Sequence, residues 1–252
     1  MTAALFDLQG RTAVVTGASR GIGAAIAQAL LQAGADVITL QRSAASESVS
    51  QTARACGRSL QTIEMALDEA ASIDAAIQTA TALAPVDILV NNAGTQIRHD
   101  AIDFPLQDFD TVMAVNTRAV FQLSTGFARA MIERGHGKII NVASLLSLQG
   151  GLRVPAYAAS KGAVAQLTKA FANEWASRGV NVNAIVPGYI DTDMNTALRS
   201  DAVRDEQILS RIPSGRWGRP EDLGGAAVFL ASAASDYVNG ILLPIDGGWL
   251  GR

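Results

Sequence analysis

Thr12-Ala-Val-Val-Thr-Gly17-Ala-Ser-Arg-Gly21-Ile-Gly23 is a short apolar run that ends directly in a glycine-rich turn, and a helical pattern follows over residues 25–33. Gly17 permits a tight turn, Gly21 lets the backbone approach a phosphate closely, and Gly23 lets the helix pack against the strand. The commoner spacing is G-x-G-x-x-G, and glycine clusters are often only turns. With a strand before it and a helix after it, this cluster predicts a site for the pyrophosphate of a dinucleotide.

Strand and helix patterns alternate along the rest of the chain. Further strands are expected over residues 36–40, 61–66, 85–90, 138–142, 180–186 and 241–245, and helices over 73–83, 107–134, 156–177 and 220–231. This alternation predicts an α/β fold in which residues 1–252 form a single domain, a doubly wound, Rossmann-like parallel sheet with helices on both faces. The mixed polar stretch 189–219 follows a strand end and predicts a lid over the site.

Composition narrows the partners of the chain. Its 252 residues are 49% hydrophobic and 17% charged, with a net charge of −3, so no broad basic surface for nucleic acid or an acidic membrane is expected. No apolar run approaches the length of a membrane span, and the N-terminus lacks a basic region followed by an apolar one, so we expect a soluble cytoplasmic protein. The single cysteine, Cys56, excludes an internal disulfide and is expected to be buried or half-buried. Two widely separated histidines make a metal site unexpected.

The end of the second predicted strand bears on the choice of cofactor. An acidic residue there would bind the ribose 2′-hydroxyl, but this chain has Gln41-Arg42-Ser43. The Arg42 guanidinium, helped by Arg20, favours a 2′-phosphate and therefore NADP(H). Two alternatives stay open: Arg42 is simply solvated, or the nearby Glu47 offsets its charge.

Residues 144–161 contain the pattern for acid–base chemistry. Tyr157 and Lys161 are four residues apart, so a helix places them on one face. The ammonium group is expected to lower the pKa of the phenol from its ordinary value of about 10 by roughly 1–3 units. Ser144 follows an apolar strand pattern, and its hydroxyl is placed to bind a developing alkoxide. Alone, such a pair is also common by chance on helices.

Two other polar residues each have two interpretations. Asn116 lies inside the helical pattern 107–134, where an amide is unfavourable unless it has a use, so it has either a structural or water-holding role or a plain surface position. Asp68 either flanks an adenine or caps the helix that begins near residue 71.

Six motifs in order resemble the short-chain dehydrogenase/reductase family over the entire chain: residues 16–23, residues 91–94, Asn116, Ser144, Tyr157 with Lys161, and Pro187-Gly188. The resemblance implies an NAD(P)-dependent oxidoreductase that is a homotetramer and whose catalytic residues are Asn116, Ser144, Tyr157 and Lys161. It implies that Lys161 also holds the nicotinamide ribose and Thr192 the carboxamide. The residues expected to bind NAD(H) or NADP(H) are Gly17, Ser19, Arg20, Gly21, Ile22, Gly23, Gln41, Arg42, Asp68, Asn92, Ala93, Gly94, Tyr157, Lys161, Pro187, Gly188 and Thr192.

Residues 148–155, 197–201, 211–218 and 234–240 are similar to the subgroup of 2-deoxy-D-gluconate 3-dehydrogenases and 2-dehydro-3-deoxy-D-gluconate 5-dehydrogenases. That similarity implies a deoxy or keto sugar acid as substrate, with its carboxylate bound by Arg98 and Arg153 unless these are surface arginines. Gln149 and Trp217 are further candidates for substrate contact. The subgroup is often NAD-linked, and Gln41-Arg42 departs from that pattern.

Three rival interpretations remain. The first is an NADPH-dependent reductase of an alginate-derived keto-deoxy uronate, which an NADP(H) preference would suit. The second is a 3-ketoacyl thioester reductase, which the substrate loops disfavour. The third is a cofactor-sensing protein without catalysis, which would not need Tyr157 and Ser144 and which a turnover assay would separate from an enzyme.

Overall fold

The computed structural model describes residues 2–252, with side chains described from residue 4 onward. Its centre is a sheet of seven parallel strands in the order β3-β2-β1-β4-β5-β6-β7. The strands are β1 Thr12–Thr16, β2 Asp36–Gln41, β3 Leu60–Glu64, β4 Ile88–Asn91, β5 Gly137–Val142, β6 Val180–Pro187 and β7 Leu242–Ile245. Each predicted strand is present within a few residues of its expected bounds, and the predicted doubly wound sheet is confirmed.

Helices cover both faces of this sheet. They are α1 Thr2–Leu5, α2 Gly21–Gln32, α3 Glu47–Cys56, α4 Ala70–Leu83, α5 Leu106–Met113, α6 Ala119–Arg134, α7 Pro155–Trp175, α8 Thr196–Arg199, α9 Ala202–Leu209 and α10 Gly224–Ala231. One buried cluster joins the sheet to α2, α3 and α10, and a second joins it to α4, α6 and α7. Because both faces are covered, the inner strands β4 and β5 are buried along their full length.

The expected helix over residues 107–134 is interrupted. A π-helical turn over Ala114–Arg118 separates α5 from α6, and it contains Asn116. Such turns insert one extra residue into a helix and often occur at functional sites. The apolar periodicity continues across the turn, which is why the sequence suggests one helix.

Cys56 is exposed, so the expectation that it is buried or half-buried is wrong. It is the last residue of α3, beyond Val49 and Ala53, which form the buried face of that helix. Within residues 2–252, no helix has both the length and the apolar character needed to cross a membrane.

All strands are parallel, so their carboxyl ends lie along one edge of the sheet. The chain leaves β1 toward β2 on one side, and β4 lies on the other side of β1. Ligands of doubly wound folds bind at this kind of reversal, just outside the carboxyl ends of the strands.

Candidate active site

A cleft of about 1640 Å³ lies at this edge of the sheet. It is lined by the loops that follow β1 to β6 and by Trp249 near the C-terminus. Sites for one drug-sized molecule have volumes of about 300–1,000 Å³, so this cleft has room for a dinucleotide and a second small molecule.

The glycine-rich turn after β1 forms one end of the cleft. Gly17 and Gly21 have φ angles of 66° and 56°, which glycine adopts without strain. A Cβ on Gly23 would lie 2.3 Å from the Gly17 carbonyl oxygen and 2.3 Å from Nδ2 of Asn92. That amide donates to the carbonyl oxygens of Thr16 and Gly17 at 3.0 and 3.1 Å, which fixes the turn.

The residues of this turn fit a pyrophosphate. Helix α2 begins at Gly21, and no side chain caps its N-terminus. The first N–H groups of the helix are therefore left for an anion, which the helix dipole also favours. All seventeen residues predicted to bind the cofactor line the cleft.

The end of β2 carries the predicted determinants of cofactor choice. Gln41 is buried; its Nε2 donates to the Ser43 carbonyl at 2.9 Å, and its Oε1 has no hydrogen-bond partner among the described residues. Arg42 is exposed on the cleft, and no carboxylate of residues 2–252 lies within 4 Å of its guanidinium. Glu47 pairs with Arg54 at 2.7 Å instead of opposing Arg42. An arginine with no carboxylate within 4 Å and a buried acceptor with no partner among the described residues therefore lie together at the end of β2.

Two other predicted cofactor residues have partners in the protein. Arg20 forms an ion pair with Asp193 of the 189–219 segment at 3.1 Å. Asp68 lies on the cleft, and its carbonyl accepts a hydrogen bond from Arg118 at 2.6 Å. The alternative role of Asp68 as a helix cap is wrong, because Glu69 is the N-cap of α4.

Tyr157 and Lys161 lie one turn apart on α7, as predicted, with Nζ of Lys161 5.7 Å from the centre of the tyrosine ring. Lys161 is buried, and its Nζ donates to the Val142 carbonyl at 2.6 Å. The Ser144 side chain lies close enough to Tyr157 to lower the pKa of its phenol, and Ser144 Oγ accepts from the Leu146 amide at 3.2 Å. The strand end and the helix thus bring the three groups together.

The pKa directions differ from the expectation. Burial raises the pKa of Tyr157 above its ordinary value of 10.0, although the neighbouring Ser144 side chain lowers it in part. Burial also lowers the pKa of Lys161 from 10.5 to about 8. The predicted lowering of the Tyr157 pKa by Lys161 is therefore wrong for the unliganded protein, since desolvation is the dominant effect.

Asn116 is buried, so the surface alternative is wrong. Its Nδ2 donates to the Thr95 carbonyl at 2.9 Å and to Oγ of Ser160 at 3.0 Å, and its Oδ1 accepts from the Thr95 amide at 2.8 Å. Asn116 does not line the cleft. Its side chain joins the loop after β4 to helix α7, directly beside Tyr157 and Lys161.

Two of the four predicted substrate residues, Arg98 and Gln149, line the cleft, and the other two do not. Nε of Arg153 pairs with Asp100 at 2.9 Å outside the cleft. Trp217 is buried, and its Nε1 donates to Asp205 at 2.7 Å. We correct both assignments, because Arg153 has a carboxylate partner in the protein and Trp217 is buried, with its indole N–H bonded to Asp205 of the same 189–219 segment.

The cleft is cationic although the protein is acidic. Five arginines and Lys161 line it, against three aspartates. Two of these aspartates, Asp191 and Asp193, are already paired with Arg199 and Arg20. The lining arginines are Arg20, Arg42, Arg98, Arg204 and Arg211. This balance favours an anionic ligand.

A family model described as short chain dehydrogenase matches residues 11–203. The chain belongs to the short-chain dehydrogenase family. The 2-dehydro-3-deoxy-D-gluconate 5-dehydrogenase of Bacillus subtilis (strain 168) is 51% identical over 247 residues, which cover 98% of this chain and 97% of the relative.

Two solved structures are similar over almost the whole chain. One, described as a 2-deoxy-D-gluconate 3-dehydrogenase from Agrobacterium tumefaciens with bound NADP, has a TM-score of 0.93 and 48% identity, with 98% of this chain and 99% of the other covered. Another, described as an NAD(P)-dependent gluconate 5-dehydrogenase from Beutenbergia cavernae with bound NADP, has a TM-score of 0.95 and 46% identity, with coverage of 98% and 100%. The chain is therefore an NAD(P)-dependent oxidoreductase, as predicted.

Sequence reasoning missed several residues that line the cleft of this dehydrogenase. They are Tyr189, Arg204, Arg211 and Trp249. The positive charges of the 189–219 segment were visible in the sequence, but the side of the segment that faces the cleft was not. Trp249 follows the last strand, far in sequence from every motif, and only the fold brings it to the site.

Proposed function

We propose that this enzyme transfers a hydride between NADP(H) and a secondary alcohol or ketone of a deoxy or keto sugar acid. The leading substrate is 2-dehydro-3-deoxy-D-gluconate, oxidised at C5, or the corresponding diketo acid in reduction. The observation that carries this proposal is one cleft that holds Ser144, Tyr157 and Lys161 together with arginines that lack carboxylate partners. The names of the relatives support the same substrate class.

Different residues of the cleft would bind different parts of the cofactor. The N-terminus of α2 would hold the pyrophosphate, and Arg42 with Arg20 would hold a 2′-phosphate, which favours NADP(H). Oε1 of Gln41 would accept a hydrogen bond from the same ribose. Lys161 would hold the nicotinamide ribose and Thr192 the carboxamide. When bound, the nicotinamide supplies or accepts the hydride.

Tyr157 moves the proton. In reduction its hydroxyl protonates the carbonyl oxygen of the substrate, and in oxidation its phenolate accepts the hydroxyl proton. Ser144 donates a hydrogen bond to the same oxygen and stabilises the charge that develops there. Lys161, charged below a pKa of about 8, stabilises the phenolate.

Asn116 is a positioning residue in this mechanism. Its side-chain amide is used by Thr95 and Ser160, so it fixes the loop after β4 against α7. A shift of this contact would move Tyr157 relative to the substrate. Misplacements of about 1 Å at such sites reduce rates by roughly a hundredfold.

We also keep three further predictions as proposals. The 189–219 segment acts as a lid, and a bridge between Ile190 and Gly218 ties its two ends together. The enzyme is cytoplasmic. It is a homotetramer in which the long helices of neighbouring subunits meet. Phe121 of α6 supports this interface, because it is exposed beside Phe171 of α7, with ring centres 5.8 Å apart. Light scattering after size-exclusion chromatography measures the number of subunits.

Initial rates test the proposed activity. Purified protein is assayed with NADH and with NADPH against the diketo acid derived from 2-dehydro-3-deoxy-D-gluconate and against the alginate-derived keto acid. We expect turnover of the diketo acid, with higher kcat/KM for NADPH. Turnover of the alginate-derived acid alone would replace the proposed substrate. Tyr157→Phe is expected to abolish turnover while cofactor binding persists, and retained turnover would overturn the role of Tyr157.

A further inference from the structure

The C-terminal residues 246–252, here called the C-terminal hook, bring Trp249 into the lining of the cleft. Gly247 and Gly248 have φ angles of 63° and 93°, a conformation that favours glycine. A Cβ on Gly247 would lie 2.4 Å from Oγ of Ser214, and one on Gly248 would lie 2.9 Å from Pro213. The Ser214 amide donates to the Gly247 carbonyl at 3.0 Å. The hook is therefore held closely against the segment that follows Arg211.

This packing places Trp249 beneath Arg211. The guanidinium carbon lies 4.0 Å from the centre of the tryptophan ring, within the range of a cation–π contact. Trp249 is 4% exposed, and Tyr189 packs against it at 4.7 Å between ring centres. A guanidinium N–H of Arg252 donates to the carbonyl oxygen of Ser210, the residue before Arg211, at 2.7 Å. Arg211 itself is exposed, but one face of its guanidinium packs on a buried ring.

Gln149 is the third residue of this group, together with Trp249 and Arg211. Nε1 of Trp249 donates to Oε1 of Gln149 at 3.3 Å, and because an indole N–H is only a donor, the amide oxygen must face it. The amide nitrogen of Gln149 then has no hydrogen-bond acceptor among the residues that the structure describes. Gln149, Trp249 and Arg211 all line the cleft, and Gln149 is five residues from Ser144.

Arg211 is the best prepared of the cleft arginines to bind an anion. Among residues 2–252, no carboxylate lies within 4 Å of Arg98, Arg204 or Arg211. Arg204 bonds only Gln207 on its own helix, and Arg98, which is exposed as Arg211 is, has no aromatic ring beneath it among the described residues. Stacking occupies the face of the Arg211 guanidinium and leaves its in-plane N–H groups for a carboxylate. Because the side chain is already ordered, it loses less entropy on binding.

We propose that Arg211, held on Trp249, binds the carboxylate of the sugar acid, and that the Gln149 amide donates to an adjacent oxygen of the same ligand. This inference rests on the proposed function and names the residues that select an acid over a neutral sugar. Arg153, the sequence-based candidate for this role, is paired with Asp100 instead.

Calorimetric titration tests the inference without turnover. D-gluconate and D-glucitol, which differ only in the carboxylate at C1, are titrated separately into the protein saturated with NADP⁺. We expect wild-type protein to prefer gluconate and Arg211→Gln to bind it about 10- to 100-fold more weakly, since a charge-assisted bidentate contact is lost. Affinity for glucitol should stay within about threefold, and Arg211→Lys should recover part of the preference.

Control variants separate a local effect from a general change of charge. Arg178→Gln removes the same charge from an exposed turn outside the cleft and is expected to behave as wild type. Arg98→Gln and Arg204→Gln test the competing arginines. Loss of the preference in either of these, with Arg211→Gln unchanged, would overturn the proposal, and so would a wild-type protein that binds both ligands equally.

Kinetics distinguish failure of this inference from failure of the proposed function. In Arg211→Gln we expect KM for the diketo acid to rise about 10- to 100-fold, while kcat and KM for NADPH change less than threefold. A wild-type enzyme that does not turn over the diketo acid would refute the proposed substrate and leave the gluconate titration to decide the role of Arg211. Wild-type turnover with unchanged KM in Arg211→Gln would refute the role of Arg211 alone.

Discussion

Replacing Lys161 with methionine tests the most unfavourable feature of the site, a buried ammonium group. Lys161 is 5% exposed, and the only hydrogen bond of its ammonium group to the described chain is to the Val142 carbonyl at 2.6 Å. Methionine has a similar length and no charge. Lys161→Met is expected to stabilise the unliganded protein at pH 7 and to destroy activity, because the phenolate of Tyr157 loses its stabilising cation.

The size of the effect follows from the pKa of Lys161. Burial lowers this pKa from 10.5 to about 8, so charging the amine in the folded state costs about 3 kcal/mol more than in the unfolded chain. The substitution removes that cost at pH 7 but leaves the Val142 carbonyl without its donor, which costs about 1 kcal/mol. The net expectation is a gain of about 2 kcal/mol in the free energy of unfolding.

The gain should vanish at alkaline pH. Between pH 8 and 10.5 the unfolded chain binds more protons at this lysine than the folded protein does, so Lys161 destabilises the wild-type protein less as the pH rises. At pH 10 a penalty of about 1 kcal/mol remains, and the lost hydrogen bond offsets it. The two proteins are therefore expected to be equally stable at that pH.

Urea unfolding at pH 7 and pH 10, at one fixed protein concentration, measures both values. Lys169→Met is the matched control, because Lys169 lies on the same helix and is exposed. This control should stay within about 0.5 kcal/mol of wild type at both pH values. A Lys161→Met protein that is less stable than wild type at pH 7, or whose difference from wild type does not change with pH, would refute the argument from burial.

Three further substitutions test other parts of the site. Gly23→Ala should weaken NADPH binding at least tenfold in fluorescence titration and lower the free energy of unfolding by about 1–3 kcal/mol, because its Cβ would lie 2.3 Å from the Gly17 carbonyl oxygen. Gly162→Ala is the control, because the space around its Cβ is open, and it should be neutral or stabilising. Ser144→Ala should reduce kcat by about 10²–10³-fold with unchanged cofactor affinity. It should also move the alkaline rise of the oxidation rate to higher pH, because the Ser144 side chain that lowers the Tyr157 pKa is removed. Arg42→Asp should lower the ratio of kcat/KM for NADPH to that for NADH by about 10- to 100-fold in steady-state assays, and an unchanged ratio would remove Arg42 from cofactor selection.

Local patterns in the sequence predicted those parts of the site that depend on neighbours along the chain. The turn after β1 is an example, since a strand, three glycines and a helix lie within about twenty residues and define the phosphate site together. The shared face of Tyr157 and Lys161 follows in the same way from the period of one helix. The strand positions were also predictable, because buried parallel strands have nearly continuous apolar sequences.

The errors at Arg153 and Tyr157 have a common cause in the tertiary structure. The sequence makes Arg153 a candidate carboxylate ligand, whereas the fold pairs it with Asp100. It shows Arg211 only as one of several charges of the 189–219 segment, and the fold places Trp249 beneath it. The helical neighbour of Tyr157 predicts a lowered pKa, whereas burial raises it. Pairing and burial of this kind are set by tertiary structure, and one sequence carries no periodic signal for them.

The two perturbed pKa values also suggest which reaction direction the unliganded site favours. At pH 7 Tyr157 is protonated, since burial raises its pKa, and Lys161 is mostly charged, since its pKa is about 8. This is the protonation state that carbonyl reduction requires, because the phenol must donate. Oxidation requires the phenolate, so its rate should increase with pH until Tyr157 ionises. The reduction rate should stay level below pH 8 and fall above it, as Lys161 loses the charge that stabilises the phenolate. Rates in both directions across pH 6–10 measure this asymmetry, and an oxidation rate independent of pH would show that Tyr157 is not the base.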